Sequence, residues 1–219
     1  GEVGYVREVV QGLAWVEGLP GVRLSEMVLF ESGQQGKVMS LTSERVEILV
    51  FSSIPLRVET RVVRTGHTMQ INVSDEILGQ TIGALGLNSL SGEVREVDIT
   101  PLGVSHRRKI TKMLETGIIL VDLLVPLGMG QRELVLGDRK TGKSNFLFQT
   151  ILNQATLGTI CIYTAIGKRK TEINKALEFF AQNNLTKNIV TVATTSQDSA
   201  GEIYLAPYTA MTIAEYFRD

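Results

Sequence analysis

The chain has 219 residues, 43% of them hydrophobic and 21% charged, with a formal net charge of −1. That balance is ordinary for a globular protein of one large or two small domains, long enough to bury a core without staples. It gives no general electrostatic attraction to nucleic acid or to an anionic membrane.

The first third reads as β-structure. Tyr5–Val9, Leu13–Val16, Met27–Phe30, Lys37–Leu41, Arg45–Phe51 and Arg61–Arg64 are short runs rich in Val, Ile, Leu and aromatics. Gly12, Gly18, Pro20-Gly21, Gly33, Gly36 and Pro55 punctuate them, which is the spacing of a small barrel or sandwich. Val46, Ile48 and Val50 alternate with Arg45, Glu47 and Leu49, the pattern of a half-buried strand. Trp15 is expected to fill the interior. No basic stripe interleaved with aromatics argues for an oligonucleotide-binding barrel.

From about Ile71 the pattern changes. Ile118-Ile119-Leu120-Val121-Asp122 looks like an apolar strand ending in the carboxylate that holds Mg²⁺ in many nucleotide hydrolases. It precedes the phosphate loop described next, whereas the usual partner strand follows it, so the metal role is set aside. Leu134-Val135-Leu136 is suited to a buried strand. Residues 137–144 then read Gly137, Asp138, Arg139, Lys140, Thr141, Gly142, Lys143 and Ser144, matching G-x-x-x-x-G-K-[ST] at every fixed position.

The chemistry needs those residue types. Gly137 and Gly142 let the backbone fold around a phosphate with several N–H groups inward. The following helix adds its partial positive N-terminus. Lys143 supplies a cation for the outer phosphates, and the Ser144 hydroxyl can hold Mg²⁺. A nucleoside phosphate ligand is implied.

Leu147, Ile151 and Ala155, with Phe148 and Leu152 beside them, recur at helical spacing. Thr159–Ala165 is a β-rich run. Lys170–Asn183 places Ile173, Ala176, Leu177 and Phe180 on one helical face, and Ile189–Thr194 reads as another strand. Pro207 marks the expected first turn of a last helix. Alternating strands and helices imply a mainly parallel sheet with the loop at its carboxyl edge.

Other residues offer less. Cys161, the single cysteine, lies in an apolar run and reads as a buried structural thiol in a reducing compartment. His67 and His106, the only histidines, have no ligand partners at metal spacing, and no catalytic triad combines either with a nucleophile. His106-Arg107-Arg108-Lys109 reads as a solvated basic face. No run approaches the roughly 18 apolar residues of a membrane span, and no signal peptide is visible. A start at Gly1 and a stop at Arg218-Asp219 read as a fragment.

Several motifs together resemble the alpha subunit of F-type (rotary) ATP synthases. They are Glu115-Thr116-Gly117-Ile118, Asp122, Leu124-Val125-Pro126-Leu127-Gly128, Gly130-Gln131-Arg132-Glu133-Leu134 and the loop Gly137–Ser144. Ala165-Ile166-Gly167, Tyr204-Leu205-Ala206-Pro207-Tyr208 and Glu215-Tyr216-Phe217-Arg218-Asp219 complete the set. Alpha subunits carry Gln where this loop has Lys140 and Thr where it has Ser144, both tolerable for phosphate and metal contact.

The resemblance implies an α/β protein. A six-stranded N-terminal β-barrel at 1–71 would be followed by a C-terminally incomplete RecA-like P-loop domain at 72–219. It implies ATP or ADP with Mg²⁺ at residues 137–144. The expected partners are catalytic beta-type subunits in an alternating hexamer and a central rotor stalk subunit, with no nucleic acid and no direct membrane insertion. The expected place is the cytoplasmic face of a membrane, in a peripheral complex, or the equivalent organellar compartment.

Catalytic beta subunits have Gly-Glu-Arg after the strand that follows the loop, the Glu deprotonating water, and alpha subunits have Gln in place of that Glu. This chain has Gly167-Lys168-Arg169. A charged ammonium has no acceptor for a proton, so the reading is a non-catalytic subunit. Glu172 departs from the alpha pattern and matches a second carboxylate of beta subunits; its plain reading is a solvated helix residue. The alternatives are a catalytic or protein-export ATPase relative, a nucleotide-stabilised assembly module, and a helicase-like RNA translocase.

Overall fold

The computed structural model describes residues 2–87, 91–101 and 103–219. Six antiparallel strands, β1 (Val3–Val10), β2 (Leu13–Glu17), β3 (Glu26–Phe30), β4 (Gln35–Leu41), β5 (Val46–Val50) and β6 (Arg61–Thr68), close into a barrel in the order β1-β2-β5-β4-β3-β6. All six expected runs are strands of it. Closure leaves no unpaired edge in this sheet. Its interior is filled by Val6, Ala14, Val16, Val28, Phe30, Val38, Ile48 and Val62, all buried. Period-two alternation decides which residues those are.

The same alternation corrects one expectation. Ala14 and Val16 point inward, so Trp15 between them faces out, half-buried, with the Arg45 guanidinium 5.6 Å from its ring centre.

Beyond the barrel come β7 (Gln70–Val73), β8 (Thr81–Ile82), β9 (Glu93–Glu96), β10 (Met113–Leu114), α1 (Ile119–Leu124) and β11 (Leu127–Gly128). Then follow α2 (Lys143–Thr156), β12 (Cys161–Lys168), α3 (Lys170–Gln182), β13 (Ile189–Thr195) and α4 (Ala200–Arg218). β12, β13 and β8 form a parallel sheet in that order. One face carries α2 and α3, through Phe148, Ala155, Ala176 and Phe180 against Cys161, Tyr163 and Ile189. The other carries α4, through Leu205, Ala206 and Ile213 against Val190, Val192 and Ile162. That second core continues without a break into Leu49 of β5 and Phe51 just after it, so α4 lies between sheet and barrel. Leu49, outward on β5, is therefore buried as well.

A charged joint reinforces this contact. Lys37 of β4, only 4% exposed, donates to Asp98, and its ammonium lies 5.8 Å from the Tyr208 ring centre on α4. Burial of a lysine is tolerated because the carboxylate and the ring face both answer its charge.

Two further expectations are corrected. Leu134-Val135-Leu136 belongs to no strand, and Leu134 and Leu136 are 74% and 79% exposed. Apolar composition marks a segment fit for a sheet interior, but a strand also needs a neighbour's N–H and C=O groups, and no described strand pairs with it. Pro207 does not open the last helix. α4 starts at Ala200 behind Ser199, whose hydroxyl accepts from the Glu202 amide while the Glu202 carboxylate accepts from the Ser199 amide. Two reciprocal hydrogen bonds at a helix start outweigh the positional preference of one proline, which sits inside the helix instead.

Candidate functional site

The loop at residues 137–142 leads directly into α2. A Cβ at Gly137 would stand 2.6 Å from Thr141 Oγ1, so glycine there leaves the Thr141 hydroxyl its place in the loop. Gly142 is required by conformation, since its φ is +90°, a left-handed value that L side chains avoid. Lys140 also has a positive φ, +66°, so the chain reverses its curl twice within the loop. Thr141 Oγ1 donates to the Asp138 carbonyl at 2.8 Å.

Lys143 is the first residue of α2, and its ammonium turns back to donate to the carbonyls of Gly137 and Asp138. The cation therefore already sits over the loop. No side chain caps the start of α2, so its opening amides are left for another acceptor. Ser144 lies exposed in the same turn. Asp138, Arg139 and Lys140 are exposed around the rim.

This donor set fits a polyphosphate: one fixed cation, uncapped helix amides and a cradle that a Cβ at Gly137 would fill. It also fits Mg²⁺ in one particular way. Among the described residues no group of three or more His, Cys, Asp or Glu could hold a metal ion. Magnesium bound here would take the Ser144 hydroxyl, phosphate oxygens and water, the ligand set it commonly uses with nucleotides.

β12 runs into α3 at the carboxyl end of the parallel sheet. Lys168 ends β12, and its ammonium stands 3.9 Å from the Glu172 carboxylate one turn into α3, both about half exposed. That is an ion pair without a hydrogen bond. Glu172 also acts at a distance on Tyr163, whose hydroxyl is pushed above its usual value by burial first and by this carboxylate second.

Residues outside the loop fall into place. Asp122 is not at a strand end. It lies in α1 and accepts from Thr116 N at 2.9 Å, Thr116 Oγ1 at 2.7 Å and Gly117 N at 3.1 Å, which holds it below the usual carboxylate value. That turn is fixed in turn to α2, because Asn153 and Gln154 both donate to the Glu115 carbonyl. Cys161 is half-buried, and burial pushes its thiol up to about 11. Among the described residues, the rings of His67 and His106 hydrogen-bond with the neighbouring Thr68 carbonyl and Ser105 hydroxyl, and Arg107, Arg108 and Lys109 are exposed.

Sequence reading missed Thr194, whose hydroxyl fastens the end of β12, and the tie from Asp122 to Thr116. The Ser199-x-x-Glu202 capping box was a usable signal for the start of α4. Nothing in the order of residues marks Thr194.

Residues 117–219 match the model of the ATP synthase alpha/beta family, nucleotide-binding domain. The whole chain is similar to alpha subunits of ATP synthases. It is 35% identical to ATP synthase subunit alpha 2 of Nitrosospira multiformis, covering 100% of this chain and 44% of that protein. It is 36% identical to ATP synthase subunit alpha of Mycoplasma genitalium, covering 99% and 43%. It is 37% identical to ATP synthase subunit alpha 1 of Chlorobium luteolum, covering 100% and 44%. The chain thus spans less than half the length of these relatives. The barrel, the parallel sheet, the loop at 137–144 and these matches agree, and the chain belongs to the ATP synthase alpha/beta family.

Proposed function

We propose that the chain is the barrel (1–71) and the first part of the nucleotide-binding domain (72–219) of a non-catalytic, alpha-type subunit of a rotary ATP synthase. It holds MgATP, or MgADP, at Gly137, Asp138, Arg139, Lys140, Thr141, Gly142, Lys143 and Ser144. The reading rests chiefly on the loop geometry, in which Gly142 holds a left-handed φ, Gly137 leaves room for the Thr141 hydroxyl, and Lys143 donates to the Gly137 and Asp138 carbonyls.

Each residue has a defined task. The loop amides and the start of α2 bind the phosphates, Lys143 answers their charge, and Ser144 supplies one oxygen to Mg²⁺. The metal, when bound, neutralises phosphate oxygens. Nothing at the end of β12 takes a proton from water, because position 168 is an ammonium with three donors and no acceptor. The alpha subunits that the chain is similar to support the remaining parts of the proposal. This subunit alternates with catalytic beta-type subunits around a central rotor stalk, and their ATP synthesis is coupled to ion transport. The complex is peripheral to the cytoplasmic face of a membrane. No described helix is long and apolar enough to cross a membrane, which is compatible with that position.

The test is phosphate release from ATP under single-turnover conditions. The expected rate is background, and Lys168→Glu alone should not raise it, since transition-state charge stabilisation of the kind an arginine supplies is worth roughly 10³–10⁵ in rate. Turnover by the unaltered protein that disappears in Lys143→Ala would overturn the non-catalytic reading, and Glu172 would become the first candidate base.

A further inference from the structure

β10 and β11 form a ribbon of two strands, with Met113 opposite Gly128 and Leu114 opposite Leu127, and no described third strand joins it. A two-stranded sheet leaves the outer backbone groups of each strand without partners. The segment leading into β10 carries that deficit further. Among the described residues, the backbone of 108–111 makes no hydrogen bond. The flanking ones run from Arg107 N to the Val104 carbonyl and from Met129 N to the Lys112 carbonyl. Arg108, Lys109, Ile110 and Thr111 are all exposed, so these backbone groups lie within reach of another chain.

The same segment is basic throughout. Residues 99–114 hold four Lys and Arg side chains, Arg107, Arg108, Lys109 and Lys112, and no Asp or Glu. Among the described residues none of the four enters an ion pair. Such a run raises the local potential far above what a net charge of −1 implies for the whole chain.

Apolar surface lies beside it. Ile110 and Met113 are 51% and 40% exposed, and they border an open groove of about 300 Å³ with Lys112, Pro126, Leu127 and Gly128. Ile110 packs on the bare backbone of Gly128, where a Cβ would stand 2.3 Å from Ile110 Cγ2. Lys112 belongs both to the basic run and to the groove wall, so charge and apolar surface meet there.

These features select a polypeptide over other polyanions. Unpaired backbone donors and acceptors are matched by another strand, which adds along a sheet edge and sets alternate side chains into pockets. Single-stranded nucleic acid uses aromatic platforms for its bases, and the chain has no Phe, Trp or Tyr between Phe51 and Phe146.

We propose that residues 107–114 are a docking edge for an extended, acidic segment of another polypeptide. That segment pairs with the backbone of 108–111 as an added strand. Its carboxylates meet Arg107, Arg108, Lys109 and Lys112, and one of its apolar side chains enters the groove beside Met113. No residue of the 137–144 loop takes part.

Fluorescence anisotropy with a labelled peptide, Glu-Glu-Val-Glu-Val-Glu-Glu, tests this on the unaltered protein. The expected result is saturable binding that weakens as salt is raised, since the charges are exposed. The same peptide N-methylated at alternate residues keeps its charge but loses donors along one edge, and should bind about tenfold more weakly. Arg108→Glu with Lys109→Glu should weaken the unmodified peptide by more than about thirtyfold. Arg57→Glu with Lys187→Glu, an equal charge change at other exposed positions, should leave it within about twofold. No binding by the unaltered protein, or equal affinity for the N-methylated peptide, would overturn the proposal. So would an oligothymidylate of matching charge that binds as tightly as the peptide, which would mark a general polyanion face.

Discussion

Lys143→Ala removes the cation that donates to the backbone of the 137–142 loop. A hydrogen bond to a charged group contributes about 1.5–3 kcal/mol. Here the upper part of that range is not reached, because the ammonium already has acceptors. It donates to the Gly137 and Asp138 carbonyls, and a phosphate must compete with them for the same protons. The expected loss is therefore about 1.5–2 kcal/mol, or roughly ten- to thirtyfold in Kd for MgATP. The fold should be unaffected, since the side chain is only half-buried and the neighbouring loop residues are exposed. Isothermal titration of both proteins, with circular dichroism melts as the folding control, measures this. An unchanged Kd alongside an unchanged melt would remove the loop from the site.

Ser144→Ala should reduce the enhancement of nucleotide binding by Mg²⁺ more than it reduces metal-free binding, because the hydroxyl acts on the ion; titrations with and without Mg²⁺ decide it, and identical losses would make Ser144 only a helix-start residue. Phe180→Ala should cost about 3–4 kcal/mol in denaturant unfolding, because the ring is 2% exposed and packs on Phe148, Tyr163 and Phe179; a loss below about 1 kcal/mol would mean that the α2–α3 face repacks freely. Cys161 should resist alkylation of the native protein at pH 9, because burial moves its thiol from 9.0 to about 11 and keeps it protonated there, and it should react promptly once unfolded. Since the unfolded thiol ionises first, this group also removes stability as pH rises from about 9 towards 11, a slope that Cys161→Ala should lack.

Sequence alone determined the elements whose signal is local. Alternation of Val46, Ile48 and Val50 gave a barrel strand, helical spacing of Ile173, Ala176 and Phe180 gave α3, and the loop from Gly137 to Ser144 was legible because each fixed position answers a backbone or charge requirement within eight residues. Matters that depend on a distant partner needed the tertiary structure. Leu134–Leu136 has the composition of a strand, but pairing is a property of two segments, and the structure supplies no described neighbour for it. Trp15 has the size of a core residue, but the register that buries Ala14 and Val16 sends it outward. Lys37 reads as a surface lysine until Asp98 and Tyr208 close over it. Lys168 is the sharpest case. Its sequence position showed that it could not be a base, whereas the face it occupies follows from a register slip fastened by Thr194, 26 residues further along the chain. Short-range periodicity is written in the order of residues, whereas the direction of a side chain at an irregular strand end is set by hydrogen bonds that exist only once the two strands have met.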